Sequence, residues 1–231
     1  MTKAQTLHQE AETAREKEEF LKSLELTDQA ILAYYEEKDL AGVAEVLSSR
    51  FLTLRHLFEQ TEEEAFMVMA KNDAEASVEI ARKCDKKEAL AIPLFNLGKA
   101  NEALGKFGEA VEAYKEAIAN MTKNPPAQHN RSGVMQEMII HLSTAEYLTG
   151  DKSALERLED AIEDLTLVTD EPEYNKDVWL SGGYMDIAEL LKDTDRQKTK
   201  MALEKAREII DSNPALILRK KQLEKLETKF K

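Results

Sequence analysis

Residues 91–121 read AIPLFNLGKANEALGKFGEAVEAYKEAIANM, and the placing of the small residues allows one kind of packing. Helix axes approach to about 8–10 Å only where one side brings little bulk. Gly98 and Ala110 are such positions, one on each of two successive helical stretches. Tyr114 and Ala117 follow Ala110 at i+4 and i+7, so the three share a face. Gly105 stands where the first helix should end, as a left-handed capping residue. Phe107 then opens the second helix with a bulky plug. The spacing predicts two short helices folded back on one another.

The pattern recurs. Ser23, Ala65, Ala154 and Ala202 are small residues with small or apolar residues downstream, comparable to Ala110, and successive marks lie 42 to 48 residues apart. Apolar residues recur at three and four rather than two, which argues against strands. Only 8 Gly and 5 Pro among 231 residues, with 33% charged, also favour long helices. Cap signals cut the chain into about eleven helices. Thr2-x-x-Gln5 opens the first, and Thr61-x-x-Glu64 reads as a capping box for a later one. Asp85 opens the helix carrying the clearest motif, and Asn213-Pro214 starts the last.

Leu94, Leu97-Gly98, Asn101, Ala110, Tyr114 and the late Pro125-Pro126 resemble the pattern of the tetratricopeptide (TPR) repeat, W-x2-L-G-x2-Y…A-x3-F…P. Trp179 followed by Gly182-Gly183 resembles the opening of another repeat. The period exceeds the family's 34 residues, so the hairpins are read as TPR-like units with longer helices or connections. The resemblance implies an all-α fold: a right-handed superhelix of about five antiparallel helix pairs with a C-terminal capping helix. The pairs are expected at about 3–37, 39–83, 86–121, 132–168 and 173–211, with the cap at 214–230, all in a single domain spanning 1–231. Leu216, Leu223, Leu226 and Phe230 would seat that cap on its own array.

Arrays of this family hold proteins or peptides on their concave face, so the function implied is a non-enzymatic scaffold or adaptor. A second reading is a regulator whose groove senses a peptide and shifts contacts with an effector. Contacts in the family come from fixed positions of each first helix. Counted from Ala91, these are Ile92, Phe95, Asn96, Lys99, Glu102 and Ala103. Alignment through Ala65 adds Arg50, Phe51, Leu54 and Phe58. Alignment through Ala154 adds Ile140, His141, Thr144, Tyr147 and Leu148, and the fifth pair offers Ser181, Tyr184 and Ile187. Asn96 matches a recurrent asparagine able to bond a peptide backbone through both donor and acceptor. The chaperone-tail clamp of the family has Lys at position five and Asn at nine. Phe95 and Lys99, like His8 and Glu12 of the first hairpin, depart from it.

Net charge is −13. Repulsion from phosphates argues against nucleic acid as a partner, and an acidic array favours a partner of some basic character. The stretch 156–177 carries nine acidic and two basic residues, and 215–231 six basic and two acidic. Both also serve simply as solvated faces. No apolar run approaches the roughly 18 residues of a membrane span, and no hydrophobic leader opens the sequence. A single cysteine, Cys84, fits a reducing compartment, so a cytoplasmic location is expected. Glu137 and His141 at i, i+4 could supply half a metal site, the one opening for an unfamiliar metal-dependent enzyme. Neither a metal nor a cofactor is expected. The partner's identity and the oligomeric state are not written in the sequence.

Overall fold

The first residues form a helix because their orphan amides are met locally. Thr2 Oγ1 accepts from the Gln5 amide, and the Gln5 side chain returns to the Thr2 amide, closing a capping box. This opens α1 (Lys3–Glu16), the first of eleven α-helices in the computed structural model, which describes residues 1–230. The others are α2 (Phe20–Glu36), α3 (Leu40–Thr61), α4 (Glu64–Lys83), α5 (Ala91–Ala103), α6 (Phe107–Lys123), α7 (Ser132–Leu148), α8 (Ala154–Leu167), α9 (Glu173–Leu191), α10 (Arg196–Ser212) and α11 (Ile217–Thr228). No strand occurs among the described residues. Each successive pair, from α1–α2 to α9–α10, packs as a hairpin. The chain divides into two compact units, Met1–Gln128 and His129–Lys231, the first holding three hairpins and the second two hairpins with α11.

Four turns close in the same way. Amides of Glu19, Asp39, Lys106 and Asp151 bond carbonyls of Ala14, Tyr34, Asn101 and Glu146, each five residues back. The residue before each amide is left-handed: Glu18 (φ 58), Lys38 (φ 58), Gly105 (φ 71) and Gly150 (φ 109). This is the closure that satisfies the last carbonyls of a helix, and Gly105 fills the role its position predicted.

Three start signals read differently in space. Thr61 is the last residue of α3 and no capping box: its hydroxyl donates back to the Leu57 carbonyl at 2.7 Å, and left-handed Glu62 (φ 62) ends the helix. Asp85 opens no α-helix; a 3-10 turn at Lys87–Leu90 comes first, and α5 begins at Ala91. Asn213 spans a turn, accepting from the Ala215 amide and donating to Asp177 Oδ2 at 2.8 Å, so α11 begins at Ile217.

In the first unit, Phe51, Leu54, Leu57, Met67, Ala70 and Ala74 form the core between α3 and α4, with Phe20 and Ala100 reaching in from neighbouring hairpins. Helices cross closely where glycine permits. A Cβ at Gly42 would meet the Tyr34 ring at 2.2 Å, and one at Gly98 the Tyr114 ring at 2.3 Å. In the second unit Ile140, Tyr147, Leu158, Ile162, Leu165 and Ile187 fill the centre. Gly183 lets α9 lie on Ile162, which a Cβ would meet at 2.9 Å, so Gly182-Gly183 serves helix packing. Glu171, its side chain fully buried, accepts from Arg131 Nε and Asn175 Nδ2, both at 2.8 Å, tying the start of α7 to that of α9.

The last helix packs on α9 and α10 of its own chain. Leu216 and Leu223 join Ala206 and Ile210 in one cluster, Lys229 pairs with Glu189 at 3.0 Å, and Arg207 pairs with Glu227. Cys84 is half-buried, and its thiol donates to the Ala81 and Lys86 carbonyls.

Candidate interaction site

The small-residue mark of the second hairpin is Ala70, not Ala65. Ala65 is exposed on the first turn of α4, whereas Ala70, Ala74 and Ser77 are fully buried and repeat the spacing of Ala110, Tyr114 and Ala117. The shift of five residues rotates the implied contact face by about 140° around α3. It replaces Arg50 and Leu54 by Arg55 and Glu59. In the first hairpin Ser23, Thr27 and Ala30 keep the same spacing and are buried, which places His8, Glu12 and Arg15 in register.

Side-chain contacts agree with this register. Arg55 Nε donates to Glu59 Oε1 at 2.9 Å, with both side chains about one-quarter exposed. Burial works to lower the Arg55 guanidinium, and Glu59, with Tyr114 and Glu102 nearby, more than offsets it, so the pKa lies above its ordinary value. Tyr114 hydroxyl donates to Glu102 at 2.5 Å. The Tyr114 ring lies 5.6 Å from that of Phe95, and Lys99 Nζ sits 4.1 Å from the Phe95 centroid, a cation–π contact. Phe95, Lys99 and Glu102 of α5 thus gather with Arg55 and Glu59 of α3 around the Tyr114 ring of α6.

On α1 the same positions reach α3 through His8, whose Nε2 lies 2.6 Å from the Ser49 hydroxyl. Ser49 also donates to Glu12 at 3.5 Å, and the His8 ring meets Tyr34 edge-on. Burial lowers the His8 pKa; Glu12 raises it and Arg15 lowers it. Glu45 lies close by, its carboxyl raised by desolvation and by the charges of Glu12 and Asp39. Burial and that acidic surrounding push the Tyr34 phenol up to about 12. Arg15 keeps one buried nitrogen, Nη1, without a hydrogen-bond partner.

The other residues singled out from sequence lie elsewhere. Arg50 points away from this face: Nε and Nη2 grip Asp73 at 2.8 and 2.6 Å, and Nη1 bonds Asp28, linking α2, α3 and α4. Phe51 and Leu54 are core, and Phe58 packs half-buried against it. Asn96 is buried within α5 at 4% exposure, which leaves no amide surface for a peptide in this state. Ile140 and Tyr147 belong to the core of the second unit, with Lys152 Nζ 3.6 Å over the Tyr147 ring. Thr144 is buried and its hydroxyl has no partner. His141 and Tyr184 are half-buried, and Tyr184 packs against both clusters of that unit. No group of three His, Cys, Asp or Glu that could hold a metal occurs among the described residues, and no helix there is long and apolar enough to cross a membrane.

Solved structures share this arrangement at low identity. A kinesin light chain-type protein of Podosopora anserina with nearly identical TPR-like repeats matches at a TM-score of 0.58 and 18% identity, covering 90% of this chain and 96% of that one. BtubC (BKLC) of P. vanneervenii matches at 0.61 and 20%, covering 87% and 77%. A Rap protein complexed with Competence and Sporulation Factor matches at 0.65 and 15%, covering 99% of this chain and 64% of that one. The chain has a TPR-like helical fold. No family model and no curated protein matches the sequence. The TPR-like fold accounts for the hairpins of both units and for the small residues at their crossings, while each unit carries its own charges.

Proposed function

We propose that the protein is a non-enzymatic scaffold that holds a segment of a protein or peptide partner on the α1–α3–α5 face of its first unit. The observation that carries this reading is the gathering of Arg55, Glu59, Lys99 and Glu102 around Phe95 and Tyr114. Half-buried charges fixed in place by the buried Phe95 and Tyr114 rings beneath them suit recognition, because held, partly desolvated polar groups discriminate between partners. Crowded acids at Glu12, Glu45 and Asp39 favour basic side chains further along the same segment.

The Rap relative, solved with a bound factor, supports a second reading in which the same face senses a peptide and alters contacts with an effector. Affinity capture from native lysate with wild-type protein and with Arg55→Ala/Lys99→Ala as bait tests the proposal. A partner retained by wild type and lost by the variant, with helicity unchanged, is expected. Equal capture by both proteins removes this face from the proposal.

A further inference from the structure

We propose that the outer flank of α2 and α4, on the far side of the first unit from the face described above, is a second docking surface that takes a basic amphipathic helix. Leu21, Asp28, Leu32 and Tyr35 fall on one face of α2 at i, i+7, i+11 and i+14. Leu21, Leu32 and Tyr35 are 79%, 65% and 71% exposed, an unusual concentration for one helix face of a folded protein. On α4, Met69 and Ala76 share a face with Asp73, and Met69 is half exposed. Arg50 fixes how these flanks stand: bound to Asp28 on one side and Asp73 on the other, it makes the two rows face across its guanidinium. The result is an outer surface on which exposed apolar residues flank an ion pair. From Leu21 to Tyr35 it runs about 21 Å, or four turns of a helix laid along it.

Charge selects the occupant. Two carboxylates share the one guanidinium of Arg50, and Glu25 and Glu36, beside the apolar row on α2, have no ion-pair partner among the described residues. The neighbouring lysines are spent, Lys22 on Glu19 and Lys71 on Glu75. A second copy using the same face would set these acids against their own like, which costs binding. A helix with leucine-type residues at three and four spacing, flanked by Lys or Arg, answers both the exposed apolar rows and the acids beside them.

A fluorescein-labelled 16-residue peptide, with leucines at i, i+3, i+4 and i+7 spacing and lysines elsewhere, tests this by anisotropy against the full chain. Binding is expected, with affinity falling about tenfold or more for Leu32→Glu and for Tyr35→Glu. Both residues are mostly exposed, so unchanged circular dichroism is expected; Leu21→Lys provides an independent variant. Added salt should weaken binding, and a scrambled peptide of equal composition should bind at least about tenfold more weakly. Glu204→Gln, on α10 of the second unit, should leave affinity unchanged, which ties binding to this surface. Equal affinity for the outer-face variants, or for the scrambled peptide, overturns the proposal. So does sedimentation showing a dimer that Leu32→Glu dissociates, which would assign the face to a second copy.

Discussion

The Tyr114 ring occupies the space that any side chain at Gly98 would need, with Cε1 2.3 Å from where a Cβ would stand. The ring is fully buried, and its hydroxyl is fixed on Glu102, so it cannot swing aside without losing that bond. Gly98→Ala should therefore destabilise the first unit by about 1–3 kcal/mol despite its better helix propensity. Chemical denaturation checks this; an unchanged midpoint would mean that the α5–α6 crossing has slack.

Lys38 holds a left-handed conformation at a cost that glycine avoids. Lys38→Gly should stabilise the chain by about 0.5–1 kcal/mol, because relief at a positive φ exceeds the entropy lost by freeing the unfolded backbone. Gly105→Ala, in the same conformation, should act in the opposite direction. Thermal melts of the two variants test the pair together.

Removing Arg50 strands Asp73, whose side chain is 8% exposed. Arg50→Met is expected to cost about 3–5 kcal/mol. Adding Asp73→Leu should recover much of that loss, since no buried charge is then left without a partner. A double-mutant cycle measures the coupling, and additive losses would show the pair to be independent.

His8 gives the first unit a pH dependence of definite sign. Its pKa in the fold is lowered from the ordinary 6.5, chiefly by burial, so the neutral ring is the one that fits. The stability this provides is complete above about pH 6.5, where the unfolded residue is also neutral, and declines as pH falls toward the folded pKa. His8→Gln should flatten the fall in melting temperature between pH 7 and pH 5. Parallel curves for the two proteins would rule out His8 as the source.

Asp151 acts lower on the scale. Bonds from Ser153 and then from Arg157 hold its carboxyl down to about 2, so its contribution is present above the usual carboxylate range and disappears as pH drops through that value. Asp151→Asn should therefore reduce the pH dependence of unfolding between about pH 4 and pH 2.

The helices were legible because their signals are local: Thr2 with Gln5, Gly105 at a left-handed position, and small residues at four and seven. Hairpin register was legible only in part. The α4 sequence offers Ala65, Ala70, Ala74 and Ala76, and spacing alone allows more than one register; burial against α3 selects Ala70. That five-residue ambiguity decided the candidate site, exchanging Arg55 and Glu59 for Arg50 and Leu54. Arg50 was misplaced for a further reason: a cation on a helix reads as surface, and the burial of Asp73 beneath it has no sequence signature. Thr61 followed by Glu64 imitates a capping box, but the backbone had already turned at Glu62. Asn96 is read from its match to the family's recurrent asparagine, a match that carries no information on burial, and tight α5 packing encloses its side chain.

The turns after α1, α2, α5 and α7 are locked by main-chain bonds and a single left-handed residue, filled by Glu, Lys or Gly. Such joints demand almost nothing of neighbouring side chains. Lineages could lengthen or shorten a chain of this kind by whole hairpins, duplicating or deleting modules, while selection on recognition acted separately on the residues each module displays.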